Sequence, residues 1–329
     1  MQTPAYRDDS SRLYVGADIG GTKIGMVLLD AAGQILEQHR HPTDPGDGSD
    51  AVLGRLADCV RRCFADHRER IAGFGIGVAG QVDPESGTVI FAPNLEWSDV
   101  PVASRMREAL GVPVIVTNDV RAATWGEWVA GAGAGAQDLV VVLVGTGIGG
   151  GVVSGGRLLT GASNTFGEVG HVTVVTEGRR CRCGNLGCVE AYAGGWAIGQ
   201  RAREMVGENP TGGATILRHA GSLEKIGAAS VTSAYREGDA MARALVDDAG
   251  HHLAAAAVGF INALNPARLI LGGGVLRGLP ELVDVVERTV RERALEAATA
   301  ALEIRLASLG TAAPAVGAAT LARMTIAMP

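Results

Sequence analysis

Apolar residues dominate Leu13 to Ala17 and stop at an acid, Asp18, and a second apolar run extends from Ile24 to Leu29. Short runs of this kind bounded by turn residues predict two strands, and the turn at Asp30-Ala31-Ala32-Gly33 leads toward a third at Ile35. The period then changes. In "DAVLGRLADCVRRCF" the positions Val52, Leu56, Val60 and Cys63/Phe64 recur at helical spacing, which predicts an amphipathic helix near 50–70. Ile71 to Gly80 is again an apolar strand running into a glycine loop. The segment "VDPESGTVIFAP" predicts a hairpin, and a helix follows near 101–111. "VPVIVTND" predicts a strand ending in Asn118-Asp119, ahead of a helix that begins near Arg121.

A second strand–glycine–strand unit covers Asp138 to Leu159, with a loop from Gly145 to Gly151 between its strands. It echoes the unit around Gly20 as a weak internal repeat. Val231 to Leu264 predicts one or two long helices, stopped by Asn265-Pro266. A strand from Ala267 to Val275 carries a third glycine cluster, Gly272 to Gly274. A helix, the strand "LEIRLASL" and a final helix from about Ala312 complete the chain.

At 329 residues the chain exceeds the usual single-domain size, so two domains are expected. No low-complexity linker separates the halves, which predicts domains joined by helices and not by a floppy tether. With 47% hydrophobic and only 19% charged residues the composition is that of a chain that folds. The formal charge is −6 and the arginines are scattered, so no footprint for a nucleic-acid backbone is visible. The longest apolar runs, Leu139–Val144 and Leu253–Ile261, fall short of the roughly 18 residues of a membrane span. The start, "MQTPAYRDDSSR", has no apolar signal region, so a cytoplasmic protein without membrane or nucleic-acid partners is expected.

Three of the five cysteines lie between Cys181 and Cys188, which fits a metal cluster in reducing surroundings better than a disulfide framework. Cys59 and Cys63 sit i,i+4 on the amphipathic helix and read as small buried hydrophobes. His171, Cys181, Cys183 and Cys188 form a Cys3His set suited to closed, tetrahedral Zn2+, with Gly184 and Gly187 to turn the chain. Closure leaves no position for a reactive water, so the zinc is expected to be structural. Glu168 and His171 are i,i+3, on one face of a helical turn, and Glu190 follows Cys188 by two. Folding around zinc then gathers two carboxylates and an imidazole, a set able to hold the hydroxyls of a sugar.

The turn Gly20-Gly21-Thr22-Lys23 reads either as a backbone N–H nest for oxyanions or as a plain hairpin turn. Lys23 is one of only two lysines, the other being Lys225. Asn118-Asp119 lies beyond the carboxyl end of a strand, where open α/β sheets place ligands, or else supplies an N-cap. The Gly145 loop is neither a Walker A nor a Rossmann fingerprint, because a strand follows it. Together, the three glycine turns, an acid at Asp18 for a Mg2+ shell, a polyol-binding cluster and Asp119 describe phosphoryl transfer from ATP to a sugar hydroxyl. Asp119 would accept the hydroxyl proton.

"DIGGTK", "GTGIGGG", "ND" before a helix, "GEVGH" and above all "CRCGNLGCVE" resemble the ROK family of sugar kinases and sugar-responsive repressors. The likeness runs from about Leu13 to the end and is greatest to the family's glucose-phosphorylating bacterial members. It implies an α/β, actin-like ATPase (ribonuclease H-like) fold with two domains around a central cleft. The smaller would span 12–120, completed by a helix over 312–329, and the larger 121–311.

The resemblance further implies that Asp18, Gly20, Gly21, Thr22 and Lys23 form a first phosphate loop and Gly145, Thr146 and Gly147 a second. Gly272, Gly273 and Gly274 would form the adenosine loop. Asn94, Asn118, Asp119, Glu168, His171 and Glu190 would contact the sugar, with Asp119 as catalytic base. His171 would serve zinc through one ring nitrogen and the sugar through the other. The implied reaction is ATP-dependent phosphorylation of the glucose 6-hydroxyl, in glycolysis and carbohydrate metabolism, with Mg2+ and structural Zn2+. An N-acetylhexosamine is the alternative acceptor, and a homodimer or homotetramer the implied assembly. One departure stands out: Tyr192-Ala193-Gly194-Gly195 occupies the place of a Tyr-x-Ser-Gly common among relatives.

The repressor branch carries a winged helix–turn–helix ahead of the first strand, which needs some 60 residues. About a dozen precede Leu13, so a kinase is expected. A zinc hydrolase would need an open coordination site, and an actin-like structural ATPase would leave the acid cluster without a purpose.

Overall fold

The computed structural model describes residues 11–326 and divides into two compact units, each built on its own mixed sheet. Of the described residues, the first unit takes 11–135, 162–164 and 308–326; the second takes 136–161 and 165–307. Among the described residues no helix is long and apolar enough to cross a membrane.

The first unit opens with β1 (Leu13–Ile19), β2 (Lys23–Leu29), β3 (Ile35–Pro42) and α1 (Ser49–Cys63). β4 (Ile71–Val78) follows, then the small sheet of β5 (Gln81–Val82), β6 (Val89–Ala92) and β7 (Trp97–Val100). The run continues through α2 (Val102–Leu110), β8 (Val114–Asn118) and α3 (Asp119–Ala130). The main sheet has the order β3-β2-β1-β4-β8, with β1 antiparallel to β2 and parallel to β4.

α1 is shorter than the helix expected near 50–70. It ends at Cys63, and a 3-10 stretch covers Ala65–Arg70. Phe64 is the last apolar anchor, and the charged run after it buries nothing, so nothing rewards continuing the helical face. Cys59 is buried as expected, whereas Cys63 is only half-buried, with its thiol 3.5 Å from His41 Nε2.

The second unit contains β9 (Leu139–Val144), β10 (Ile148–Ser154), β11 (Arg157–Leu158), α4 (Glu190–Ala193), α5 (Gly195–Glu208) and α6 (Ala214–Ala220). α7 (Ala228–Arg236), α8 (Ala240–Leu264), β12 (Arg268–Gly272), α9 (Gly274–Gly278), α10 (Glu281–Arg293), α11 (Glu296–Thr299) and β13 (Glu303–Leu306) complete it. Its sheet order, β11-β10-β9-β12-β13, repeats the logic of the first: an antiparallel hairpin across a glycine turn, then two parallel strands. The weak repeat in the sequence therefore has a counterpart in topology.

The expected loop from Gly145 to Gly151 is much shorter, because Gly149, Gly150 and Gly151 pair with β9 as part of β10. Likewise the Ala267–Val275 strand stops at Gly272, where Gly273 takes a φ of 100°. α7 and α8 are separate helices, divided at Gly238 with a φ of 83°.

The chain returns to the first unit with α12 (Ala313–Ile326); residues 327–329 of the helix expected to reach 329 lie outside the described residues. α12 packs on α3, β1 and β4 at backbone distance. A Cβ on Gly16 would land on the Ala315 carbonyl and one on Gly75 on that of Ala318, so the sheet must be bare there. Because α3 lies along α12, the first unit runs to residue 135, past the edge at 120 expected from the sequence.

Candidate active site and metal centre

In the first unit the parallel register aligns the carboxyl ends of three strands: Ile19 pairs with Val78 and Val78 with Asn118. Asp18 is opposite Gly77, and a Cβ added to Gly77 would sit 3.3 Å from the Asp119 Cα. One glycine thus keeps the space between the two acids' strands clear. Desolvation raises the Asp18 carboxyl to about 7; Asp119 adds to the rise and Lys23 opposes it.

The Gly20–Lys23 turn is pinned from outside. Gly20 N donates to Lys23 O at 3.1 Å, while the fully buried Thr43 donates through Oγ1 to Gly20 O at 2.6 Å and through N to Thr22 O at 3.2 Å. With the turn carbonyls of Gly20 and Thr22 satisfied by Thr43, the nest is held open. Asn94 lies against it, since a Cβ on Gly21 would be 2.9 Å from the Asn94 carbonyl.

The N-cap reading of Asn118 is realised. Its Oδ1 accepts from Val120 N and Arg121 N, both at 3.0 Å, and its Nδ2 donates to Gly80 O at 3.1 Å. The helix consequently begins at Asp119 and not near Arg121. That places Asp119 in the first turn of the helix. One amide hydrogen of Asn118 is left for a ligand.

The second unit brings the four expected metal donors into one cluster. Donor atoms of His171, Cys181, Cys183 and Cys188 all lie within 4.8 Å of one another. Cys181 Sγ is 3.7 Å from His171 Nδ1, and the Cys183 and Cys188 sulfurs are 3.7 Å apart. A tetrahedral Zn2+ with bonds of about 2.3 Å to sulfur and about 2.1 Å to nitrogen needs edges of about 3.8 and 3.6 Å, so these residues fit zinc. Burial above all, then neighbouring thiols, pushes Cys181 up to about 12.

Glu168 caps a 3-10 turn, Val169–His171, which rests on β10; a Cβ on Gly150 would meet Val141 O and one on Gly170 would meet Ile148 O. The bare strand lets the turn lie flat. His171 gives Nδ1 to the sulfur cluster and leaves Nε2 facing outward, 3.9 Å from Glu168 Oε2. Glu190 begins α4, with Oε1 3.9 Å from Cys181 Sγ. The structure therefore brings Glu168, His171 and Glu190 together around the metal knot.

Glu190 also reaches the second glycine turn. Its Oε2 accepts from Ile148 N at 2.8 Å and its Oε1 from Trp196 Nε1 at 3.0 Å, and a Cβ on Gly147 would collide with it. The turn is zipped to α5, since Gly195 N donates to Gly145 O at 3.0 Å and Trp196 N to Thr146 O at 2.8 Å. Gly272 and Gly273 lie beside the strand leading into that turn, with a Cβ on Gly273 falling on the Val144 backbone, and Gly274 opens α9.

The expected site residues thus form two sets. Asp18, Gly20, Gly21, Thr22, Lys23, Asn94, Asn118 and Asp119 gather in the first unit. Gly145–Gly147, Glu168, His171, the three cysteines, Glu190 and Gly272–Gly274 belong to the second. Two contributors were missed from sequence. Thr43 works through long-range bonds that leave no local trace, and Trp196 is a lone aromatic whose only signal is its place just after the glycine pair.

Residues 14–325 match the ROK family model. The glucokinase of Halalkalibacterium halodurans is 34% identical over 321 residues, covering 95% of this chain and 96% of that protein. The glucokinase of Thermotoga maritima is 34% identical over 313 residues, 95% of this chain and 98% of its own. Among solved structures, a ROK family glucokinase from Streptomyces griseus in complex with glucose and AMPPNP is 34% identical, with a TM-score of 0.81. It covers 95% of this chain and 99% of that one. The chain belongs to the ROK family, and its two mixed α/β units carry the actin-like ATPase fold that the motifs implied.

Proposed function

We propose that this protein is an ATP-dependent hexose kinase that phosphorylates the 6-hydroxyl of glucose. The observation that carries this reading is the placement of Asp119 by the Asn118 cap, at the aligned strand ends beside Asp18. The likeness to bacterial glucokinases over nearly the whole chain supports glucose as the acceptor.

Asp119 accepts the proton of the 6-hydroxyl as the new O–P bond forms and the bond from the γ-phosphorus to the bridging oxygen breaks, with ADP leaving. Backbone N–H groups of Gly21 and Thr22 in the first turn and of Thr146 and Gly147 in the second donate to phosphate oxygens, with the Lys23 charge beside them. Gly272–Gly274 present bare backbone to the adenosine. Asn94, Asn118, Glu168, His171 and Glu190 hold sugar hydroxyls. Asp18 would hold Mg2+, which neutralises phosphate charge when bound; a crowded acid with a raised proton affinity fits a cation partner. His171, Cys181, Cys183 and Cys188 would hold Zn2+, which would fix the segment that carries the sugar-binding acids.

Thiol ligands of this kind fit a reducing cytoplasm, and the family resemblance supports a homodimer or homotetramer. A coupled ADP-release screen over glucose, mannose, fructose, N-acetylglucosamine and N-acetylmannosamine tests the reading. The highest kcat/KM is expected on glucose, and a higher value on either N-acetylhexosamine would overturn it.

A further inference from the structure

Trp196 is the second residue of α5, and no feature of the phosphoryl-transfer chemistry requires a tryptophan there. Three of its groups are nonetheless engaged. Its backbone N donates to Thr146 O at 2.8 Å, tying α5 to the phosphate turn. Its indole Nε1 donates to Glu190 Oε1 at 3.0 Å. Its ring lies under the guanidinium of Arg182, 4.6 Å from the ring centroid, and Arg182 sits between the metal ligands Cys181 and Cys183.

Glu190 is consequently gripped on both oxygens. Oε2 takes Ile148 N, directly after the Gly145–Gly147 turn, and Oε1 takes the indole. Neighbouring glycines make the room. A Cβ on Gly194 would stand 3.0 Å from Glu190 Cγ and 2.8 Å from Glu190 O, and Gly147 leaves space for Oε2. A serine in place of Gly194, as in the related motif, would press on the backbone carbonyl and Cγ of Glu190. Glu190 Oε2 retains a second lone pair, so it can still accept from a sugar hydroxyl.

We propose that Trp196 is a positioning residue that sets the Glu190 carboxylate for the sugar and links it to the phosphate turn and the metal knot. The inference rests on the hexose kinase reading. It concerns orientation, so its signature is a loss of sugar affinity with chemistry and metal retained.

Trp196→Phe removes only the indole N–H and keeps a ring under Arg182 and the bond to Thr146. The expected result is a glucose KM raised about tenfold, with kcat and the KM for ATP within about threefold of the parent and zinc still at stoichiometric content. Trp196→Gln carries an amide N–H the same number of bonds from Cα as the indole nitrogen, and is expected to recover most of the lost affinity. In a Glu190→Ala background, which has no acceptor for the indole, Trp196→Phe is expected to change KM by less than about twofold, because its effect passes through the carboxylate.

An unchanged glucose KM in Trp196→Phe overturns the inference, as does a Trp196→Gln variant no better than Trp196→Phe. Loss of zinc or of melting temperature together with parallel falls in kcat and affinity overturns it in favour of a structural role. A parent protein that turns over no hexose at all overturns the kinase reading and this inference with it. Parent activity beside an unaffected variant sinks the inference alone.

Discussion

Asp119 raises the proton affinity of Asp18 although β4 separates their strands in the sheet, and Lys23 at the start of β2 offsets part of that effect. Desolvation is the larger cause, and the two together lift Asp18 to about 7. The strand ends therefore hold an acid whose ionisation is unfavourable until a cation arrives.

This gives a pH signature of the ligand-free protein. An unfolded Asp18 titrates near its ordinary 3.8 and the folded one near 7, so its contribution to stability is present below about 4 and lost as pH rises through about 7. Asp18→Asn should flatten that part of the profile and melt a few degrees higher than the parent at pH 8, with no gain at pH 4. Differential scanning calorimetry across that range checks it. Equal slopes in parent and variant would contradict the shift.

Asn118 is expected to matter through the helix it starts. Asn118→Ala leaves Val120 N and Arg121 N without their acceptor and should cost about 1–2 kcal/mol of stability and reduce kcat by at least about tenfold, as Asp119 loses its fixed position. Asn118→Asp keeps an acceptor for the cap and should restore most of the stability. Chemical denaturation alongside steady-state kinetics separates the two effects.

Much of the site was legible in the sequence, and the limits have physical causes. The cluster of His171, Cys181, Cys183 and Cys188 could be read because donor type and spacing are local. The strand-end acids could be read because an apolar run ending in a polar residue marks the end of a buried strand. Glycines were ambiguous. Gly149, Gly150 and Gly151 look like loop by composition, yet they pair with β9 as part of β10, and a Cβ on Gly150 would meet Val169 of the Val169–His171 turn. Asn118 offered a cap or a ligand contact as alternatives, and the structure shows a cap with one amide hydrogen spare. Thr43 and Trp196 act on residues far along the chain or through one indole nitrogen, which no periodicity reports.

The metal should be inseparable from sugar recognition. Cys183→Ser removes one thiolate from the knot, and both zinc content and glucose affinity are expected to fall, affinity by at least about tenfold. Elemental analysis paired with titration calorimetry follows both quantities. Zinc loss with undiminished glucose binding would show that His171, Glu168 and Glu190 keep their places without it.

The most direct measurement is turnover by Asp119→Asn with glucose and MgATP, set beside its glucose affinity by calorimetry. Asparagine keeps the size and the position at the start of α3 but cannot take the proton. The expected result is a kcat lowered by about 10²- to 10⁴-fold with glucose binding and melting temperature close to the parent. A variant that keeps most of its activity contradicts the assignment of Asp119 as the base.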